Sequence, residues 1–299
     1  MKKRIALVGL GNLSPKLSPS LTDNAFVEVV AISDKEEQAV GRTMYGDVPY
    51  HKDYRELVRY QPDFVYVATD PATHCEIAAF FLERGFAVLS EKPPTRTWEE
   101  YQVLKELAAR KHVFYNVVYH FRYSRELLWL KEHLSDFGRL TFASARFDDP
   151  YCENGAILPG REFLMGAWMD SGSNILGAWS FLFPELICED AHTTIERDSI
   201  HHLPIRAVAA FRWNQTPFSI SISWENHTRN KEMLFVFERD VVYIDLPTQK
   251  VYVNGKLVLK NSDPQSTVVH YTNFFNGFDR FYTDQQGDTV TAFLYQMSI

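Results

Sequence analysis

Cysteine, basic charge and long apolar runs are all scarce in this chain, and each shortage narrows what it does. Only three cysteines occur in 299 residues, Cys75, Cys152 and Cys188, an odd number at wide spacing. With no CxxC or Cys/His ligand interval, neither a disulfide framework nor a metal site is expected, and reduced thiols suit a cytoplasmic protein. Lys+Arg number 31 against 38 Asp+Glu, a net charge of −7, and no basic run exceeds Lys2-Lys3-Arg4. A general binder of nucleic acid or of anionic membrane carries the opposite sign, so neither partner is expected. No apolar stretch approaches the roughly 18 residues of a membrane span. The run at 5–8 stops at Gly9, short of a leader's apolar core and without a cleavage site, and reads as a first buried strand. Repeats and low-complexity linkers are also missing. Hydrophobic residues at 45% and charged residues at 23% match ordinary folded usage; this length makes one large domain or two ordinary ones.

What remains is strongly patterned. Short apolar runs at 4–8, 26–32, 64–68, 87–90 and 113–117 alternate with helical patterns at 73–84 and 98–110, the signature of a parallel sheet with crossover helices. Gly85 stands where a C-terminal cap would, and Thr97 with Glu100 forms a capping box. After residue 120 the texture changes: helical patterns at 124–134 and 172–182 flank strand-like segments from 139 to 253, and 268–282 is helical again. Phe218, Ile220, Ile222 and Trp224 alternate with Ser219, Ser221, Ser223 and Glu225, as in an antiparallel strand with one packed face. In 233–237 both faces are apolar, which calls for a covering layer or a second subunit. The expected fold is α/β: a doubly wound parallel sheet over residues 1–119, then an α+β domain with an open, mostly antiparallel sheet over 120–299.

Gly9-Leu10-Gly11-Asn12-Leu13-Ser14 follows the first strand and precedes a helical stretch. This is a dinucleotide fingerprint with Ser14 in the third glycine position. Gly9 permits the tight turn, and Gly11 lets backbone N–H groups approach a pyrophosphate at a helix N-terminus. Pro15 and Pro19 make that helix short. Asp34, 23 residues after Gly11, is placed to accept from ribose hydroxyls and to repel a 2′-phosphate, favouring NAD; Lys35 beside it leaves NADP open. A helix cap at Asp34 is the structural alternative.

Ala68-Thr69-Asp70-Pro71-Ala72-Thr73-His74 and Ser90-Glu91-Lys92-Pro93-Pro94 end the next two strands. With the glycine loop, this combination resembles the Gfo/Idh/MocA (glucose–fructose oxidoreductase / inositol dehydrogenase) family, and Glu91-Lys92-Pro93 is its specific part. The resemblance implies a Rossmann domain followed by an open α/β domain, a nicotinamide cofactor, and Lys92 as the catalytic lysine, aimed by Pro93. It places Thr69, His74 and Glu91 with the cofactor loops. In Trp168-Met169-Asp170-Ser171-Gly172-Ser173-Asn174 Asp170 matches the family's aspartate, while Asn174 stands where many members carry a histidine. That pattern resembles the aldose (arabinose/galactose) 1-dehydrogenase branch. An amide orients a hydroxyl but exchanges no proton near neutrality.

The expected activity is therefore hydride transfer between NAD(P) and a sugar or polyol hydroxyl, with Lys92 and Asp170 as proton-transfer candidates, Asn174 beside them, and the anomeric carbon as the reacting centre. His120 and Arg122, just after the last Rossmann strand, Asp148 at a strand end, and Trp168 near Asp170 are substrate-binding candidates. Each has a bland alternative: a salt bridge at the junction, an Asp-Asp-Pro turn, core packing. Two rival functions stay open, a non-catalytic nucleotide or sugar sensor and a dehydrogenase of a non-sugar carbonyl compound. A homodimer or other homo-oligomer is expected from the two-sided strands.

Overall fold

Apolar runs four to seven residues long, separated by amphipathic helices, build the first sheet of the computed structural model, which describes residues 1–37, 39–184, 188–278 and 287–296. In chain order these are β1 (Lys3–Val8), α1 (Ser14–Leu21), β2 (Val27–Ser33), β3 (Tyr50–His51), β4 (Phe64–Val67), α2 (Pro71–Glu83), β5 (Ala87–Glu91), α3 (Trp98–Lys111) and β6 (Tyr115–Val118). The strands lie in the order β3-β2-β1-β4-β5-β6, every neighbour parallel. This is the doubly wound arrangement, in which ligands bind beyond the C-terminal strand ends where the order reverses, here between β1 and β4. Val65, Tyr66 and Val67 on β4 are wholly buried, as a strand covered on both faces must be.

Local signals hold at the helix ends. Thr97 Oγ1 accepts the Glu100 N–H at 3.3 Å, while the Glu100 carboxylate accepts the Arg96 N–H at 2.9 Å, so the capping box closes one residue early. Gly85, at φ +80°, turns the chain out of α2. α1 is short, eight residues with Pro19 inside.

The second sheet follows α4 (Arg125–Phe137) and contains β7 (Leu140–Asp148), β10 (Cys188–Arg197), β11 (Pro204–Trp213), β12 (Thr216–Ser223), β13 (Asn230–Phe237), β14 (Val241–Asp245), β15 (Lys250–Val253) and β16 (Lys256–Lys260). A small hairpin, β8 (Cys152–Glu153) with β9 (Ala156–Ile157), and α5 (Ser173–Leu182) precede β10. The strand order is β10-β11-β12-β7-β13-β14-β15-β16, antiparallel except for the β12–β7 pair. One face is packed as the alternation in β12 requires: Phe218, Ile220 and Ile222 are buried, and Trp179 of α5 meets Phe218 edge-on at 4.8 Å. On β13, Met233, Phe235 and Phe237 are buried while Leu234 and Val236 are half-buried. Val208 on β11 and Val241 on β14, with three strands between them, are exposed.

Two compact units result, Met1–His120 with Gln265–Gly287, and Phe121–Pro264 with the chain from Asp288 onward. A division at residue 119 alone misses the return of α6 (Ser266–Asn276) to the first unit. On that unit Phe275 meets Tyr66 at 6.0 Å, Phe278 meets Phe64 at 4.8 Å, and Asn276 accepts from Asn24 at 3.0 Å. Such pairings span more than 200 residues, and no sequence period reports them. The helical pattern at 268–282 is realised as α6, and its residues 279–282 lie outside the described residues. A last helix, α7 (Gly287–Gln296), closes the described chain.

Candidate functional site

In the first unit, Gly9 leaves β1 at φ +100°, and a Cβ there would stand 2.5 Å from the Ala68 carbonyl oxygen. Glycine is what lets the loop press against the end of β4. Gly11 is the opposite case, exposed, with no atom within 4 Å of an added Cβ. Asn12 is exposed, Leu13 half-buried, and Ser14 buried under Gly41, whose added Cβ would meet Ser14 Oγ at 2.1 Å. The start of α1 carries no side-chain cap and no acidic residue in its first turn, leaving its positive end uncompensated and suited to a pyrophosphate. Asp34 fastens this loop: its carboxylate accepts the Leu10 N–H at 2.7 Å and the Glu36 N–H at 2.9 Å. Among the described residues no helix begins at Lys35, so Asp34 caps no helix; it makes a turn with Glu36 and clamps the glycine loop. These residues fit a dinucleotide, with an open Gly11 for the phosphates and an acceptor at the end of β2 for ribose hydroxyls.

Two further loops leave the ends of β4 and β5. His74 is fully buried on α2, and its ring nitrogens face the Pro93 and Thr69 carbonyl oxygens, each at 3.0 Å. Burial pulls its pKa down, with the two carbonyls working against that pull. The imidazole therefore ties the Thr69 loop to the Lys92-Pro93 turn, whose peptide bond is cis. Thr69 Oγ1 also accepts from the Thr73 hydroxyl at 2.8 Å. Glu91 is buried and accepts from the hydroxyls of Tyr66 at 2.6 Å and Tyr271 at 2.7 Å, while its other oxygen takes the Lys92 N–H at 3.3 Å. Burial raises the Glu91 pKa, and the phenols and nearby Lys92 oppose the rise. Lys92 itself is half-buried.

His120 ends this unit. Its ring stacks on His270 with centroids 5.4 Å apart, and the two Nδ1 atoms are 3.1 Å apart. Burial drops the His270 pKa to about 3, so His270 is neutral, and of the two facing ring nitrogens one donates and the other accepts. A folded pKa below the ordinary histidine value means that acid favours the unfolded chain. The stabilisation is complete above about pH 6.5 and is lost as pH falls toward 3. Between pH 7 and pH 5 the loss is expected to be about 2 kcal/mol. Chemical denaturation at both pH values checks this: His270→Asn should remove most of the difference, and an unchanged difference would contradict it.

In the second unit a π-helical turn, Trp168–Gly172, leads into α5. Such wide turns recur at functional positions. Asp170 is 9% exposed, and its carbonyl oxygen accepts from Ser173 Oγ at 2.9 Å and from Asn174 Nδ2 at 3.1 Å. That bond engages the Asn174 Nδ2, and the buried Oδ1 has no donor among the described residues. Asp170 and Asn174 lie one turn apart, joined by that bond to the Asp170 backbone. The other candidates are committed to structure. Trp168 is wholly buried and donates to the Leu294 carbonyl at 2.8 Å. Arg122 is buried and donates to the Gly177 carbonyl and to Ser180 Oγ, both at 2.8 Å. Asp148 is buried and accepts from Arg146 at 2.7 Å and Asn230 at 3.1 Å. The sequence reading passed over Tyr66, Tyr271 and His270, because their partners lie far away along the chain. Among the described residues no three His, Cys, Asp or Glu side chains form a metal set, and no helix is long and apolar enough to cross a membrane.

A doubly wound parallel sheet with a glycine loop at its switch point, followed by a mixed sheet, defines an α/β protein of the dinucleotide-binding class. Residues 3–119 match the Gfo/Idh/MocA oxidoreductase family model, described as an NAD-binding Rossmann fold. It is 28% identical over 151 residues to a D-glucoside 3-dehydrogenase of Escherichia coli (strain K12), a match covering 48% of this chain and 42% of that protein. It is 25% identical over 132 residues to the rhizopine catabolism protein MocA of Rhizobium meliloti, covering 44% and 42%. The matches thus span about two fifths of the length of each curated relative. The fold is also that of GenD2 from gentamicin A biosynthesis, solved in complex with NAD: TM-score 0.81 at 17% identity, covering 99% of this chain and 94% of that one.

Proposed function

We propose that this chain is an NAD-dependent dehydrogenase of a sugar or polyol hydroxyl. The observation that carries the substrate half of the reading is the orphaned Asn174 Oδ1. A buried acceptor left without a donor costs about 1–3 kcal/mol, and a polyhydroxylated ligand supplies the missing O–H at the turn that presents Asp170. The match of residues 3–119 to an NAD-binding Rossmann family supports the cofactor half.

NAD, when bound, supplies the hydride acceptor. The chain's own part is binding and proton handling. The open end of α1 and Gly11 receive the pyrophosphate, and Asp34 accepts from the ribose hydroxyls. Lys92 donates a hydrogen bond to the reacting oxygen. Asp170 takes the hydroxyl proton as the carbinol C–H leaves as hydride and the C=O forms. Asn174 orients a neighbouring hydroxyl. Anomeric oxidation rests on Asn174 alone, while the relative from Escherichia coli is named for carbon 3, so a ring hydroxyl is the broader reading. The exposed apolar positions Val208 and Val241 suit a homo-oligomer built on the open sheet face, and two free thiols, Cys75 and Cys152, suit a cytoplasmic location.

The test pairs binding with turnover. NADH fluorescence titration should show a tighter complex than NADPH, and NAD reduction against a panel of aldoses and polyols should find substrates. Binding without turnover across the panel would return the chain to the sensor reading.

A further inference from the structure

We infer that the substrate recognised near Asp170 carries an anionic group, a carboxylate or a phosphate, received by Arg161 and Arg229. This rests on the dehydrogenase reading above and adds the substrate's charge. The chain as a whole is acidic, at −7, yet two arginines gather around Tyr151 in the second unit.

Tyr151 is fixed first. Its N–H donates to the Trp224 carbonyl at 2.9 Å, and its own carbonyl accepts the Leu158 N–H at 2.9 Å, which closes the β8–β9 hairpin and brings the following loop back over the ring. Arg161 arrives on that loop with its guanidinium carbon 4.6 Å from the ring centroid. Arg229 comes from before β13, 5.8 Å from the same centroid, with Nη2 3.5 Å from the phenol oxygen. Burial raises the Tyr151 pKa, and Asp149 and Asp170 add to the rise while Arg229 and Arg161 oppose it. All four charges therefore lie within electrostatic reach of one hydroxyl. Ser171, next to Asp170, donates to Asp149 at 3.4 Å.

The cations are unequally used. Lys231 is paired with Asp149 at 2.6 Å. Arg229 reaches the other oxygen of that carboxylate only at 3.8 Å, and its side chain is 61% exposed. Among the described residues Arg161 has no carboxylate partner. A guanidinium stacked on an aromatic ring keeps its N–H edge free, and that edge matches the two oxygens of a carboxylate or phosphate. A lone exposed arginine is an ordinary surface feature. Two of them aimed at one tyrosine beside a buried Asp170, with a single carboxylate already divided between Arg229 and Lys231, make a place for an anion the protein does not supply.

The experiment compares glucose, galactose and mannose with their uronates and 6-phosphates as substrates for NAD reduction. At least one anionic sugar should exceed its neutral parent in kcat/KM by about 10-fold or more, and Arg161→Ala or Arg229→Ala should lower that ratio about 10-fold. Preference for the uronate assigns a carboxylate, and preference for the 6-phosphate a phosphate. Oxidation of neutral sugars with no anion preference, and the same ratio in Arg161→Ala, overturns the inference and leaves the dehydrogenase reading standing. If nothing is oxidised, calorimetry of the same sugars on the NADH-loaded protein decides: anion heat lost in Arg161→Ala upholds the anion site alone, and no anion heat overturns it.

Discussion

Replacing Lys92 by alanine is expected to lower kcat by about 10²–10³-fold, the scale of a lost hydrogen-bond donor at a reacting oxygen, while NADH affinity falls by less than about 10-fold. The separation is expected because four bonds that do not use the lysine ammonium hold the loop. Glu91 holds the Lys92 backbone N–H, Tyr66 and Tyr271 hold Glu91, and His74 faces the carbonyl of Pro93. Truncation at Cβ leaves these bonds in place, so a lost rate reports chemistry and not a collapsed turn. Lys92→Arg should recover little, since a guanidinium is bulkier and remains charged at any accessible pH. Steady-state kinetics beside NADH titration checks both halves. An alanine variant keeping more than a tenth of wild-type turnover would remove Lys92 from the reaction.

Legibility from sequence followed the range of the interactions. Strands β1, β4 and β5 were visible because burial on both faces leaves an uninterrupted apolar run. The capping box at Thr97 and the turn at Gly85 were visible because helix ends are decided within four residues. The glycine loop and Lys92-Pro93 stood out because their residue types are required by local backbone geometry. The open sheet was visible only as alternation, and the parallel β12–β7 pair inside it was not, since strand order depends on partners far apart in the chain. The same limit hid where α6 packs: Tyr271 reaches Glu91 across 180 positions. Arg122 and Trp168 show the converse. Their chemistry and position suggested a ligand, but 1% and 0% exposure with backbone acceptors in hand make them braces for α5 and α7. A polar side chain near a motif is ambiguous until its partners are known, whereas the Asn174 oxygen counts because its partner is missing.

The two loop glycines should separate fold from cofactor. Gly9→Ala puts a methyl 2.5 Å from the Ala68 oxygen, 2.6 Å from the carbon behind it and 2.7 Å from the Thr69 nitrogen, at φ +100°. All three are backbone atoms, so no rotamer change relieves them, and the loop must move off β4. A stability loss of about 2–4 kcal/mol is expected from strain and displacement together. With the loop and the start of α1 shifted, NADH affinity should fall about 100-fold or more. Gly11→Ala meets nothing within 4 Å, so its melting temperature should match wild type. Its methyl instead projects into open space beside the uncapped end of α1, where the pyrophosphate is proposed to approach, and NADH affinity should still fall about 10-fold. Thermal melts with and without NADH read both effects. A Gly11→Ala protein with wild-type affinity would place the pyrophosphate elsewhere, and a Gly9→Ala protein with wild-type stability would mean that the loop does not depend on its contact with β4.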